Sequence, residues 1–262
     1  MLHVLAVGAE RFLGEQDRAW HHYVEAIRIL RSRGDAVTES RLCEGGVALF
    51  FEPERQQRLL ADLIALEPML ELHPVRQAMV RARVAGLYEE AGQGAEALRW
   101  SEPAIVQAQN LDDQATLLDV AMIHAWCLAA AGRRYEAGAL MRTAGEEMMS
   151  ATVRPIIGRS PAMQLATFFA DDDLRYMVRM SFVALDEVKR RGNMRYVLIN
   201  QANIAEAAID LGDWEGAERV LDVDPELHRW WREEHHETGL DLGIQTLRAY
   251  RGEPREAADE VR

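Results

Sequence analysis

Cysteine is nearly absent from this chain: only Cys43 and Cys127 occur in 262 residues. Each lies in an apolar helical run, which fits small buried residues in a reducing compartment. No C-x-x-C spacing is present to lower a thiol pKa, so neither a disulfide nor a thiol nucleophile is expected. Long apolar runs are missing as well. None approaches the roughly 18 residues that cross a bilayer, so no membrane contact is expected. The opening "MLHVLAVGAERFLGEQDR" lacks a basic start and meets polar and acidic residues too early for a secretory leader, which leaves a cytoplasmic location as the default. Basic charge is short too, with 30 Lys and Arg against 43 Asp and Glu and a net charge of −13. Nucleic-acid binding needs a basic surface to neutralise phosphates, so this segment is not expected to touch nucleic acid. Hydrophobic residues still make up 48%, enough for a folded core rather than a disordered chain.

The usual marks of chemistry are equally sparse. In "REEHHETG" (232–239), His235 and His236 are adjacent and point about 100° apart on a helix, so they cannot grip one ion together. "AWHHYVEA" (19–26) fails the same test. "FFADDDL" (168–174) resembles in part the aspartate-rich motif of terpene synthases, but Arg175 stands where a further carboxylate is needed to hold magnesium. Asp171, Asp172 and Asp173 fall instead where a turn leads into a helix, a place where Asp caps. An all-helical enzyme is therefore the remote alternative, and no catalytic residue, metal or cofactor is expected. His124 reads as a satisfied core histidine, with a binding role as the lesser alternative. Asn200 and Asn203, three apart, could grip a peptide backbone.

What the sequence does have is repetition. Glycine is followed five residues later by alanine at Gly14/Ala19, Gly92/Ala97, Gly132/Ala137, Gly212/Ala217 and Gly252/Ala257, spaced from 92 onward by forty or a multiple of it. At the missing beats Glu52 and Asp172 hold the turn, with Gln57 and Met177 in the alanine slot. Ala26, Ala104, Ala144 and Ala184 follow the first alanine by seven, and Ala85, Ala125 and Ala205 precede the turn by seven. Small residues so placed let two helices cross closely, at the short end of the usual interaxial range of about 8–10 Å. Glycine supplies the left-handed end of the first helix, and Pro53 and Pro254 suit the first position of the second. Leu198, Ala202, Ala205 and Ile209 before one turn, and Trp214, Ala217, Val220 and Leu221 after it, form apolar helical stripes. The remaining breakers, Pro68, Pro74, "RPIIGRSP" (154–161) and Pro225, are assigned to loops. The prediction is an all-α chain of about fourteen helices in seven hairpins, in units of approximately 1–34, 35–74, 75–114, 115–154, 155–194, 195–234 and 235–262.

"AGLYEEAGQGAEALRWSEPA" (85–104), "AWCLAAAGRRYEAGALMRTA" (125–144) and "ANIAEAAIDLGDWEGAERVL" (202–221) resemble tetratricopeptide repeats. The forty-residue period departs from that family's common thirty-four and is similar to the C-terminal arms of bacterial LuxR-type regulators and signal-transduction ATPases. The resemblance implies a right-handed α-solenoid whose first helices line a concave groove, at sites thirteen, ten, six, three and two residues before each turn. Carried onto this chain, those sites hold Glu89, Met122, Trp126, Arg159, Phe169, Glu206, Asp210 and Tyr250 among small residues. A mixed apolar and acidic groove is thus expected, open to a protein, a peptide or a small-molecule signal, although Trp126 and Phe169 packed between helices is the competing reading. The sites ten and six before the turns hold neither Lys nor Asn, so a clamp for carboxylate tails is not expected. The function implied is a non-catalytic interaction or sensing module, the regulatory arm of a larger bacterial signalling or transcriptional regulator. A free-standing scaffold or peptide-binding adaptor is the alternative. Met1 inside the first helix and Arg262 inside the last, with no polar capping helix between them and the ends, suggest a longer natural protein.

Overall fold

Where the chain reverses is decided at its turn glycines. The computed structural model describes residues 16–47, 50, 52–150, 194–223 and 239–252, with a few positions between 178 and 229. In it Gly92, Gly132, Gly212 and Gly252 have φ of 71°, 82°, 72° and 82°, a left-handed backbone that only glycine adopts without steric cost. At Gly92 the glycine N–H donates to Glu89 O and the next N–H, of Gln93, to Tyr88 O, both at 2.8 Å. The same pair of bonds closes the helices before Gly132 and Gly212. It satisfies the last orphan carbonyls and stops each helix at once. Gly34 (φ 68°) makes an identical ending that the forty-residue register had not marked. Gly14, Asp172 and Pro254 lie outside the described residues.

Between these turns the described chain is helical, with no strand among the described residues. The helices are α1 Gln16–Arg33, α2 Ala36–Val47, α3 Pro53–Leu66, α4 Pro74–Glu90, α5 Gly94–Gln109, α6 Gln114–Ala130, α7 Arg134–Ser150, α8 Met194–Asp210, α9 Trp214–Leu221 and α10 Gly239–Tyr250. Pro53 and Pro74 open their helices, where a missing N–H costs nothing. Pro68 lies in a short 3-10 turn, Glu67–Leu70, that continues α3. Asp113 and Asp213 cap α6 and α9 by accepting from Thr116 N–H at 3.1 Å and Gly216 N–H at 2.9 Å. Pro74, by opening α4, departs from the loop assigned to it, since the first position of a helix tolerates its ring. Pro103 lies inside α5, which runs straight through it. It is exposed, as is Arg99 four residues earlier, so the carbonyl that loses its helical donor is on the side that water can serve.

Contacts sort the chain into two compact units, residues 1–140 with 150–156 and residues 141–149 with 157–262. In the first, α4 packs on α5, α5 on α6 and α4 on α6. In the second, α8, α9 and α10 repeat that triangle: a helix meets its hairpin partner and the first helix of the next hairpin. The recurring alanines make both triangles possible. Ala85, Ala97, Ala104, Ala125, Ala137, Ala205 and Ala217 are all at 0% exposure, and Ala26 and Ala144 at 3%. Gly243 extends the device, since a Cβ there would stand in contact with Leu221, at 3.4 Å, and with the Ala205 Cβ, at 3.8 Å. The remaining core of the first unit gathers Tyr23, Phe50, Leu59, Leu63, Leu66, Val80 and Val84. That of the second gathers Leu198, Ala208, Leu221 and Leu247.

Candidate interaction face

The groove sites of α4 and α6 differ in exposure according to their distance from the turn. Thirteen and ten residues before it, Met79, Ala82, Asp119 and Met122 are at 3%, 0%, 0% and 1% exposure. Six, three and two residues before it, Gly86, Glu89, Trp126 and Ala129 are half-buried, and Glu90 and Ala130 are exposed. Met122 therefore offers no surface to a partner, contrary to the expectation from the register. The reason is in α6 itself. "QATLLDVAMIHAWCLAA" has no continuous polar face, so its middle is buried against α4 and α5, while Trp126 stays half-buried and Ala130 exposed near the turn.

In the second unit the same register is more open. Glu206 and Asp210 on α8 are exposed, Ala202 and Ile209 are half-buried, and on α10 Thr246 is half-buried and Tyr250 exposed. Tyr250 is 67% exposed and stacks on Trp214, at the start of α9, with ring centroids 4.3 Å apart and planes tilted by 40°. Trp214 itself is 38% exposed, so it stands at the rim of the apolar stripe in which the periodicity had placed it. Its position at the first turn of α9, straight after the capping Asp213, was the available signal. Arg251 pairs with Glu218 and ties the end of α10 to α9. The structure thus gathers Tyr250, Trp214 and the Asp210 turn at one end of this unit. Glu89 and Trp126 share the neighbouring helices α4 and α6 of the first. Arg159 and Phe169 lie outside the described residues, as do Asp171, Asp172, Asp173, His235, His236 and the side chain of Asn200.

Reactive groups elsewhere are sequestered. Cys43 is fully buried and accepts a hydrogen bond from Tyr23 Oη at 3.3 Å, and burial pushes its thiol up to about 12. Burial likewise lifts Cys127 to about 12. His124 has Nδ1 2.9 Å from Ser101 Oγ, and burial holds its pKa below the ordinary histidine value. It is half-buried and joins α6 to α5. No group of three or more His, Cys, Asp or Glu among the described residues is placed to hold a metal, and no helix among them is long and apolar enough to cross a membrane.

No family model matches the chain, and no curated protein is similar to it. Among solved structures it is similar to a Podosopora anserina putative kinesin light chain with nearly identical TPR-like repeats. Two structures of that protein share 16% identity with this chain and cover 80% of it; the chain covers 98% and 99% of theirs, with TM-scores of 0.48 and 0.47. Ton1535 from Thermococcus onnurineus NA1 is 13% identical, with 99% of this chain and 85% of that one covered and a TM-score of 0.36. At these scores none of them bears on function. The chain is an all-α protein of stacked helical hairpins, the architecture of TPR-like repeats.

Proposed function

We propose that the chain is a non-catalytic interaction module whose first helices receive a protein or peptide segment, and that it serves as the regulatory arm of a larger bacterial signalling or transcriptional regulator. One observation supports this above others. Among the described side chains, the exposed polar and aromatic groups of α4, α8 and α10 are Glu90, Glu206, Asp210 and Tyr250, toward the turn ends of those helices, with Glu89 half-buried beside Glu90. The thiols described above are buried away from solvent, and His124 is half-buried with Ser101 as its partner. Within each unit, first helices that meet side by side, α4 with α6 and α8 with α10, present a continuous surface, and such surfaces bind extended or helical segments through a few anchors. Occupancy would then shift the stacking of neighbouring hairpins and pass that state to attached domains.

Site-specific photocrosslinking tests this. Benzoylphenylalanine is placed at position 90 or 206 on the proposed face, and at 102 or 219 on the second helices as controls. After irradiation in lysate, crosslinks to one discrete partner from 90 and 206, and none from 102 and 219, are the expected result. Crosslinks from the control positions alone, or the same products from all four, would overturn the assignment of the face. A bound partner that leaves the activity of attached domains unchanged would reduce the module to a scaffold.

A further inference from the structure

Asp210 stands where electrostatics disfavours it. The last turn of a helix carries the negative end of its macrodipole, so a carboxylate there is repelled and a cation is favoured. α8 nevertheless ends in Asp210, with Glu206 one turn earlier and no basic residue in its last turn. α4 repeats this arrangement with Glu89 and Glu90. In the second unit the acidic end adjoins an exposed aromatic shelf, since Trp214 follows Asp210 by four residues across the turn and stacks on Tyr250. Three cations stand near this end and offset part of its negative charge, but no described contact joins any of them to Asp210. Arg251 is committed to Glu218, Arg219 Nε donates to the Glu215 carbonyl at 3.4 Å, and Arg248 lies on α10 in the turn before Tyr250.

A helix C-terminus, a carboxylate with no structural gain from its position, and the faces of two large aromatic rings all favour the same ligand, a cationic side chain. Arginine fits best, because its planar guanidinium can stack on an indole while a carboxylate accepts from its edge. We propose that the shelf formed by Trp214, Tyr250 and Asp210 is the seat of an arginine in a basic peptide segment of the partner. This rests on the interaction reading above and adds the chemistry of the occupant. The chain's net charge of −13 would steer such a segment toward it.

The probe is a capped hexapeptide carrying two arginines, with its citrulline counterpart as the neutral isostere. Both are titrated into the full-length, 15N-labelled chain while the Trp214 indole N–H resonance is followed, identified by its loss in Trp214→Phe. The arginine peptide should shift that resonance, and the citrulline peptide should bind about fivefold or more weaker. Asp210→Asn and Tyr250→Ala should each weaken binding by a similar factor, and Val106→Ala, an exposed change on α5, should leave it unchanged. Asp210→Asn should also keep or raise the melting temperature, since it removes an ill-placed charge; a carboxylate serving only the fold would lower it. Equal binding of the two peptides, no shift at Trp214, or indifference to Asp210→Asn would overturn the proposal. A photocrosslinked partner that meets position 206 through a segment without basic residues would remove this inference and leave the interaction reading standing. Failure of crosslinking at both face positions would remove that reading, while the titration still decides the shelf.

Discussion

Gly132 shows how much one residue's backbone can decide. With φ at 82° and nothing within 4 Å of where a Cβ would sit, it is glycine for conformational reasons alone. Gly132→Ala should therefore destabilise the chain by about 1 kcal/mol in urea unfolding, the left-handed penalty of an L-residue, and Gly132→Asn by less. An unchanged midpoint would refute this. His124 supplies a second residue-scale test. Its pKa lies below the ordinary value because burial penalises the charged ring. The fold thus favours the neutral form, and the stability tied to it is full above the unfolded pKa of about 6.5 and drains away as pH falls below it. Acidification from pH 7.5 to 5.5 should lower the urea midpoint in the parent, and His124→Gln should flatten that dependence. The glycines and alanines were legible because sterics admits few substitutes for them. Met122 and Trp214 were not, because register alone does not say which side of an element its neighbours cover.

Among elements, the most consequential link that repeat periodicity missed is an ionic clamp across α1, α2 and α3, in which half-exposed arginines hold buried carboxylates. Arg31 on α1 donates to Glu39 on α2 and to Asp62 on α3, both at 2.6 Å, and Arg58 adds a bond to Asp62 at 3.1 Å. Glu39 and Asp62 are only 2% and 5% exposed. Removing the bridging cation strands Glu39 in a poorly solvated setting and leaves Asp62 to Arg58 alone, so Arg31→Met should cost about 1–2 kcal/mol of stability, less than a fully buried pair because Arg31 itself is half-exposed, and adding Glu39→Gln should restore part of it. Burial raises the Glu39 pKa, against the pull of Arg31. A carboxyl whose folded pKa is raised contributes stability that is complete below its unfolded value and is lost as pH rises through the folded one. Arg31→Met should hence be least damaging in acid and most damaging at neutral pH, and unfolding curves at pH 4.5 and 7.5 would check it. Such a clamp has no sequence period. It joins residues 8 and 31 positions apart, which only the fold brings together.

For the whole molecule, the division into two compact units carries its own expectation. Repeat arrays gain stability from nearest neighbours and can lose cooperativity where contacts thin. Single-tryptophan variants retaining either Trp126 or Trp214 should report different urea midpoints, and coincident transitions would show one cooperative body instead. The all-α architecture and the hairpin positions could be read from the sequence because the same steric demand recurs along it. The partner-facing chemistry could not, since each exposed side chain appears once and obeys no period.

The open space around the turn glycines has a practical corollary. A position that an L-amino acid enters only under strain is one that its mirror image occupies at rest. Replacing Gly132 with D-alanine by semisynthesis would narrow the wandering of the unfolded chain, and such chiral editing should toughen the molecule by roughly 0.4–1 kcal/mol. The bends of this protein are thus ready-made sites for stereochemical reinforcement.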